Sequence, residues 1–195
     1  MKASVKCILF AALSLCSVIA NAEHKKHHNP TTYTFNDKTV TFKNQENADE
    51  FGQLINVYEE LNDLEDRLRR IESQFDRVFM EYSNIERSMS YEEATLSSLG
   101  LENAISSLQA EIEQNFDRTQ ERFTEVNEMI DACKLARDQA SYIVSFDSME
   151  AYYDSYAHIR RCYNSFERIS QDCRKDKRNV EARMKVLQTI EQKDK

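Results

Sequence analysis

Residues 54–85 of this 195-residue chain read LINVYEELNDLEDRLRRIESQFDRVFMEYSNI. Apolar and aromatic side chains recur here at alternating spacings of three and four residues, which is the heptad pattern of a coiled coil. With Leu61 at heptad position a, the pattern extends to Leu99, and Glu92 is the one polar residue at an a or d position. The stretch therefore predicts a long amphipathic helix that packs on other helices.

The composition of the whole chain agrees with a helical fold. It contains only two Gly, one Pro and no Trp, with 41% hydrophobic and 31% charged residues. An average chain of this length would carry roughly fourteen Gly and ten Pro, and these residues supply most tight turns. The scarcity excludes β-sandwiches, β-barrels, Rossmann folds and P-loop domains. We therefore assign the chain to the all-α class.

Two breaks divide the rest of the helical pattern. Gly100 stands where a C-terminal glycine cap would end the first helix, and the second apolar stripe, which starts at Leu101, has a different heptad phase. A stutter at this point would instead leave one continuous rod. The second break falls at Asp147, which with Glu150 fits a capping box. The pattern predicts a helical coiled-coil domain at 46–195 with helices at about 46–99, 101–143 and 148–192.

Charge indicates how these helices associate. In a parallel dimer, heptad position g faces position e of the other chain, which would oppose Glu81 to Glu86. Within one chain, residues 46–99 sum to a charge of −9, residues 100–143 to −5 and residues 157–195 to +5. The opposite sign of the third segment favours packing on the first two. We predict an elongated antiparallel three-helix coiled-coil bundle.

The N-terminal segment has another character. Residues 1–22 combine a basic start, an apolar run and an A-x-A pattern, which is typical of a secretory signal peptide. Residues 23–45 contain a polar His-rich tail and then two stretches that alternate Thr with apolar residues around Asn36 and Asp37. This alternation predicts a short β-hairpin. We therefore expect an exported protein, periplasmic or extracellular, whose mature chain has no transmembrane segment.

Three cysteines remain after the signal peptide. Cys133 lies 14 residues before Asp147 and Cys162 lies 15 residues after it, so the two would be level across an antiparallel helix pair. Because an exported protein meets an oxidising compartment, we predict a Cys133–Cys162 disulfide that stabilises the fold by ~3 kcal/mol. The alternative is that all three thiols are small buried hydrophobic groups. If Cys133 and Cys162 pair, Cys173 is either free or the site of an intermolecular disulfide.

Aromatic residues concentrate around the second break, where they form the candidate partner-binding surface. Several tyrosines of this region fit the apolar stripe of the third helix, and we expect them to pack in the core. The candidates for partner contact lie outside that stripe and are Tyr142, Phe146 and Tyr153. Tyrosine and phenylalanine suit this role because they supply large, rigid contact areas.

Two clusters contain residue types that could bind metal or carry out catalysis. The first lies in the polar tail and comprises His24, His27 and His28. On a flexible tail these imidazoles would hold a transition metal only weakly. The second lies on one stripe of the third helix and comprises Asp154, His158 and Cys162. It could supply metal ligands or a thiol beside a histidine base, although a disulfide at Cys162 would remove the thiol.

The sequence contains no recognised catalytic motif, so we predict no enzymatic activity and no cofactor. The formal charge is −8, or −10 without Lys2 and Lys6, which argues against nucleic acid as a partner. The function we expect is that of an exported, non-enzymatic coiled-coil protein that acts through protein–protein interaction. Its expected contact sites are the aromatic end near residues 144–148 and the edge of the N-terminal hairpin. The alternatives are a periplasmic holdase-type chaperone and an amphipathic-helix lipid carrier.

Overall fold

The computed structural model describes residues 31–88, 91–116, 123–143 and 149–193. Over these residues the protein is mostly helical, with a two-stranded antiparallel hairpin at its N-terminal end, as predicted. The elements are β1 (Thr32–Phe35), β2 (Lys38–Thr41), α1 (Gln45–Arg87), α2 (Tyr91–Asn115), α3 (Phe123–Ala140) and α4 (Met149–Lys193). None of these helices is long and apolar enough to cross a membrane. The predicted signal peptide and the three histidines of the tail lie outside the described residues.

The prediction of three helices is wrong, because the described residues form four. The first helix ends at Arg87 instead of near residue 99, and α2 and α3 replace the predicted helix at 101–143. At the end of α1 the Ser88 amide donates to the carbonyl oxygens of both Asn84 and Ile85, each at 3.0 Å. Such shared hydrogen bonds are common at helix termini. The heptad pattern reports only which positions are apolar, so it continues past this point to Leu96 and Leu99 and does not indicate the end of the helix.

Gly100 does not end a helix, contrary to the sequence prediction. It lies inside α2, and a Cβ atom at this position would stand 2.9 Å from the Glu81 Oε2 atom of α1. The absent side chain of Gly100 leaves room for the Glu81 carboxylate rather than forming a turn. A glycine cap and a glycine that makes room for a neighbouring side chain both depend on the missing Cβ. The sequence alone therefore does not distinguish between the two roles.

Between Leu61 and Ile85, burial along α1 follows most of the predicted heptad, whereas the predicted seam residues Leu54, Val57 and Leu64 are only half-buried. The buried a and d residues are Leu61, Leu68, Ile71, Phe75, Val78, Tyr82 and Ile85. Beyond the break the pattern fails, because Leu96 and Leu99 are 69% and 53% exposed while Leu101 and Ile105 are buried. The first heptad register therefore ends with α1, and α2 buries a different face.

The chain divides into two compact units. Of the described residues, the terminal unit comprises those at 31–62 and 174–193, and the central unit comprises those between 63 and 173. The long helices α1 and α4 each contribute to both units, so each unit contains residues that are distant in sequence.

In the terminal unit the hairpin packs on α1. Asn36 and Asp37 connect the strands with φ angles of 48° and 60°, as the two central residues of a type I′ turn require. The Tyr33 ring lies 5.8 Å from the Phe51 ring, and a Cβ at Gly52 would stand 2.6 Å from the Tyr33 hydroxyl. Glycine inside a helix costs about 1 kcal/mol relative to alanine, and here its absent side chain makes room for the hairpin.

In the terminal unit, a buried carboxylate near the end of α4 binds the segment that links β2 to α1. Glu191 accepts hydrogen bonds from the Lys43 amide at 3.1 Å and from the Asn47 side-chain amide at 3.3 Å. The hydrogen bond from the Lys43 amide is the largest cause that lowers the pKa of Glu191 below its ordinary value of 4.5. Nearby, Arg183 pairs with Glu50 at 2.6 Å. The end of α4 thereby holds the chain that links β2 to α1.

Acid should weaken the hydrogen bonds that Glu191 accepts from Lys43 and Asn47, and the Glu191→Gln variant tests this expectation. Because the folded pKa lies below the ordinary value, the ionised carboxylate stabilises the unit fully above about pH 4.5 and progressively less as the pH falls through the folded pKa. Hydrogen exchange at the Lys43 amide should therefore be faster in the variant than in the wild type at neutral pH. The difference should shrink below pH 4.5. A difference that stays constant with pH would contradict the assignment.

In the central unit, aromatic rings join α1 to α4. The Phe75 ring lies 5.1 Å from the rings of both Tyr163 and Phe166. Ser155 donates to the Ala136 carbonyl at 2.7 Å and accepts from the Tyr82 hydroxyl at 2.6 Å. Burial is the main cause that raises the pKa of Tyr82 well above its ordinary value, so this hydroxyl keeps its proton. The bonds connect α1, α4 and α3 through groups that are all satisfied.

Candidate functional site

The helices α3 and α4 form an antiparallel pair that carries most of the predicted site residues. The hydrogen bond between Ser155 and the Ala136 carbonyl joins one level of the pair, and the sulfur atoms of Cys133 and Cys162 meet at another. Both contacts fit a single antiparallel alignment, in which residue numbers decrease along α3 as they increase along α4. The end of α3 and the start of α4 therefore lie at the same end of the pair.

Cys133 and Cys162 are in contact but are not bonded. Both side chains are fully buried, and their Sγ atoms are 3.5 Å apart, whereas a disulfide has a sulfur–sulfur distance of about 2.05 Å. The hydrogen bond with Cys133 and burial both raise the pKa of Cys162. The pair is thus aligned as the sequence predicted, but as two thiols. Cys173 is also buried, so an intermolecular disulfide there would require α4 to open locally.

Two of the three predicted contact residues are exposed at one end of the α3–α4 pair. Tyr142 follows α3 and is 65% exposed, and Tyr153 lies near the start of α4 and is 62% exposed. Phe146 lies outside the described residues. In contrast, Tyr152 is buried with its ring 5.7 Å from that of Tyr82. We call the surface formed by Tyr142 and Tyr153 the aromatic end.

A groove of about 750 Å³ lies between α3 and α4. Its main lining side chains are Glu128, Asp131, Leu135, His158, Arg161 and Arg168. The Glu128 carboxylate accepts hydrogen bonds from Ser165 at 3.0 Å and from Arg168 at 2.8 Å. Because both acidic and basic side chains line the groove and Glu128 is paired within it, the groove does not concentrate one sign of charge for a ligand.

The stripe of Asp154, His158 and Cys162 does not form a catalytic set. Cys162 is directed at Cys133 inside the protein, whereas His158 hydrogen-bonds to Arg161. Burial, with a smaller effect of Arg161, lowers the pKa of His158, while Asp154 acts in the opposite direction. Over the part of the chain that the structure describes, no group of three or more His, Cys, Asp or Glu side chains could hold a metal ion.

Sequence reasoning missed two arrangements in the terminal unit. One is the closure by Glu191, for which the sequence carries no local signal. The other is a set of paired threonine hydroxyls on the exposed face of the hairpin, with Thr32 3.2 Å from Thr41 and Thr34 3.2 Å from Thr39. The alternation of threonines in β1 and β2 is the signal that could have revealed this second arrangement.

No family model, curated protein or solved structure matches this chain. The function therefore rests on the geometry of the described surfaces and on the sequence pattern.

Proposed function

We propose that this protein is an exported, non-enzymatic helical protein that acts by binding another protein through its aromatic end. The observation that carries the proposal is the exposure of Tyr142 and Tyr153 at one end of the α3–α4 pair. Export is supported by the signal-peptide pattern of residues 1–22. We further propose that the helices associate as a coiled coil, which the buried heptad positions of α1 support.

The aromatic end has the composition of a binding surface. Tyrosine is enriched among the residues that dominate protein–protein binding energies, because its ring offers apolar area and its hydroxyl can form a hydrogen bond. Tyr152 and Tyr156 lie beside Tyr153 in sequence, and their rings pack with that of Tyr82 in the protein. The Tyr153 ring packs on the edge of Tyr152 at 5.3 Å. This contact orients Tyr153 and so reduces the entropy that binding would cost.

The same proposal includes a disulfide between Cys133 and Cys162 in the exported protein. Both thiols lose a proton and together give two electrons to a disulfide oxidant, which is reduced to two thiols as the sulfur–sulfur bond forms. The 3.5 Å separation of the two sulfur atoms supports it, since they need to approach by only about 1.5 Å to reach bonding distance. This disulfide would tie α3 to α4 and stabilise the helix pair that carries the aromatic end.

Replacing both Tyr142 and Tyr153 with Ser should weaken partner binding by about 100-fold, because two tyrosines of a binding centre contribute on the order of 3 kcal/mol together. The partner is first captured with a photoreactive phenylalanine derivative at position 153 in the exported protein. Its affinity for the wild type and the double variant is then measured by calorimetry.

The matched control is Leu135→Ser, which also removes an exposed apolar side chain of the α3–α4 pair, one that is 47% exposed. This variant should bind the partner as the wild type does. Equal affinities of the wild type and the double variant would refute the aromatic end as the contact surface. Thermal unfolding of all three proteins shows whether the substitutions leave the fold intact.

A further inference from the structure

The geometry points to the outer edge of β1 as a self-association surface, on which β1 of a second copy pairs antiparallel to form a four-stranded sheet. This inference is carried by different residues from those of the aromatic end. It would hold even if the proposed partner contact failed.

The register of the hairpin determines which backbone groups point outward. The Phe42 amide donates to the Thr31 carbonyl at 2.7 Å, and Tyr33 faces Val40 while Phe35 faces Lys38. The two-residue turn makes the flanking pair, Phe35 and Lys38, a hydrogen-bonded one. Because bonded and non-bonded pairs alternate in an antiparallel ladder, the pairs formed by Thr32 and Thr34 with β2 are non-bonded. The amide and carbonyl groups of Thr32 and Thr34 therefore point away from β2.

These outward groups are available for pairing. Thr32 and Thr34 are both exposed, and among the described residues their outward amides and carbonyls make no backbone hydrogen bond to another element. Proteins usually protect a strand edge with charged residues, proline or a bulge. The sequence of β1 is TYTF, which contains no charge and no proline, and its register with β2 has no bulge. The edge of β1 thus lacks the usual protection.

A second copy fits this edge because β1 is complementary to itself. A two-fold axis at Tyr33 places Thr32 of each copy opposite Thr34 of the other, and each of these two pairs can exchange two hydrogen bonds. A register shifted by two residues would place only one threonine of each copy opposite a threonine. The symmetric register also keeps all threonine side chains on one face of the sheet and all aromatic side chains of β1 on the other.

Charge favours self-pairing through β1 over self-pairing through β2. The chain carries a formal charge of −8, so most surfaces of two copies repel each other, whereas β1 has no charge to oppose a second β1. The edge of β2 begins with Lys38, and Lys43 follows shortly after it. Charged side chains, lysine above all, are among the features with which proteins protect a strand edge from pairing. We therefore infer that self-association occurs through the edge of β1.

The first test measures the unmodified full chain at rising concentration. Sedimentation should show that the fraction of dimer rises with concentration. As the dimer forms, NMR should show at least about tenfold slower hydrogen exchange at the Thr32 and Thr34 amides. The Thr39 and Thr41 amides, which point outward from β2, should exchange at an unchanged rate. Exchange at Thr32 and Thr34 that does not depend on concentration, or a chain that remains monomeric, overturns the inference.

The second test uses a matched pair of proline variants. Thr34→Pro removes an outward amide of β1 but no bond of the hairpin, because residue 34 belongs to a non-bonded pair. Thr39→Pro makes the same change at the facing position of β2. The first variant should be monomeric and the second should dimerise like the wild type. A dimer that persists in Thr34→Pro, or one that is lost equally in both variants, refutes pairing through the β1 edge.

Discussion

Phe75→Ala should lower the free energy of unfolding of the central unit by about 4 kcal/mol, the typical cost of truncating a buried phenylalanine. Phe75 is fully buried, and its ring meets those of Tyr163 and Phe166 at 5.1 Å each. These neighbours come from one long helix, which the hydrogen bond of Ser155 also joins to α3. The surroundings therefore have little freedom to close over the cavity that the substitution leaves.

Urea unfolding monitored by tyrosine fluorescence measures this effect. The control is Met80→Ala on the same helix, because the Met80 side chain is 56% exposed and its loss should change the free energy of unfolding by less than about 0.5 kcal/mol. A loss below about 2 kcal/mol for Phe75→Ala would mean that the aromatic contacts between α1 and α4 do not hold the central unit together.

Oxidation of Cys133 and Cys162 to a disulfide should raise the free energy of unfolding by about 3 kcal/mol, because the bond restricts the unfolded chain across 29 positions of sequence. The chain is refolded with a mixture of reduced and oxidised glutathione, and a non-reducing peptide map then identifies the link. Comparison of oxidised and reduced forms of the same protein isolates the effect of the bond from that of any substitution.

Two alanine variants show which cysteines are responsible. Cys133→Ala should abolish the difference in stability between oxidising and reducing conditions, whereas Cys173→Ala should preserve it. A peptide map without the 133–162 link, or equal unfolding midpoints in both conditions, would favour the alternative in which the buried thiols only fill space.

Local patterns predicted the features that depend on neighbouring residues. The turn at Asn36 and Asp37 follows from two residue types that tolerate positive φ, and the structure confirms the hairpin. The heptad of α1 correctly located most of its buried face between Leu61 and Ile85, because residues three and four apart share one side of a helix. For the candidate site, counting from Asp147 was enough to align Cys133 with Cys162.

Other features could not be predicted because they depend on partners that are distant in sequence. The role of Gly100 is set by Glu81 and that of Gly52 by Tyr33, so neither glycine could be assigned from its own helix. The groove between α3 and α4 arises from side chains that face each other only after the two helices pack. The mixture of acidic and basic side chains that line it could therefore not be predicted from either helix alone.

The amino-acid sequence by itself determined the helical class, the N-terminal hairpin and the buried face of α1, since periodicity and turn chemistry act within a few residues. Only the tertiary structure decided that four helices form over the described residues and which face of α2 is buried. It also decided that Glu191 accepts a hydrogen bond from the Lys43 amide, 148 positions away. Over the described residues, it left the outward backbone groups of β1 without a backbone partner. These outcomes depend on which surfaces meet, because a contact between distant residues has a free energy that no local pattern encodes.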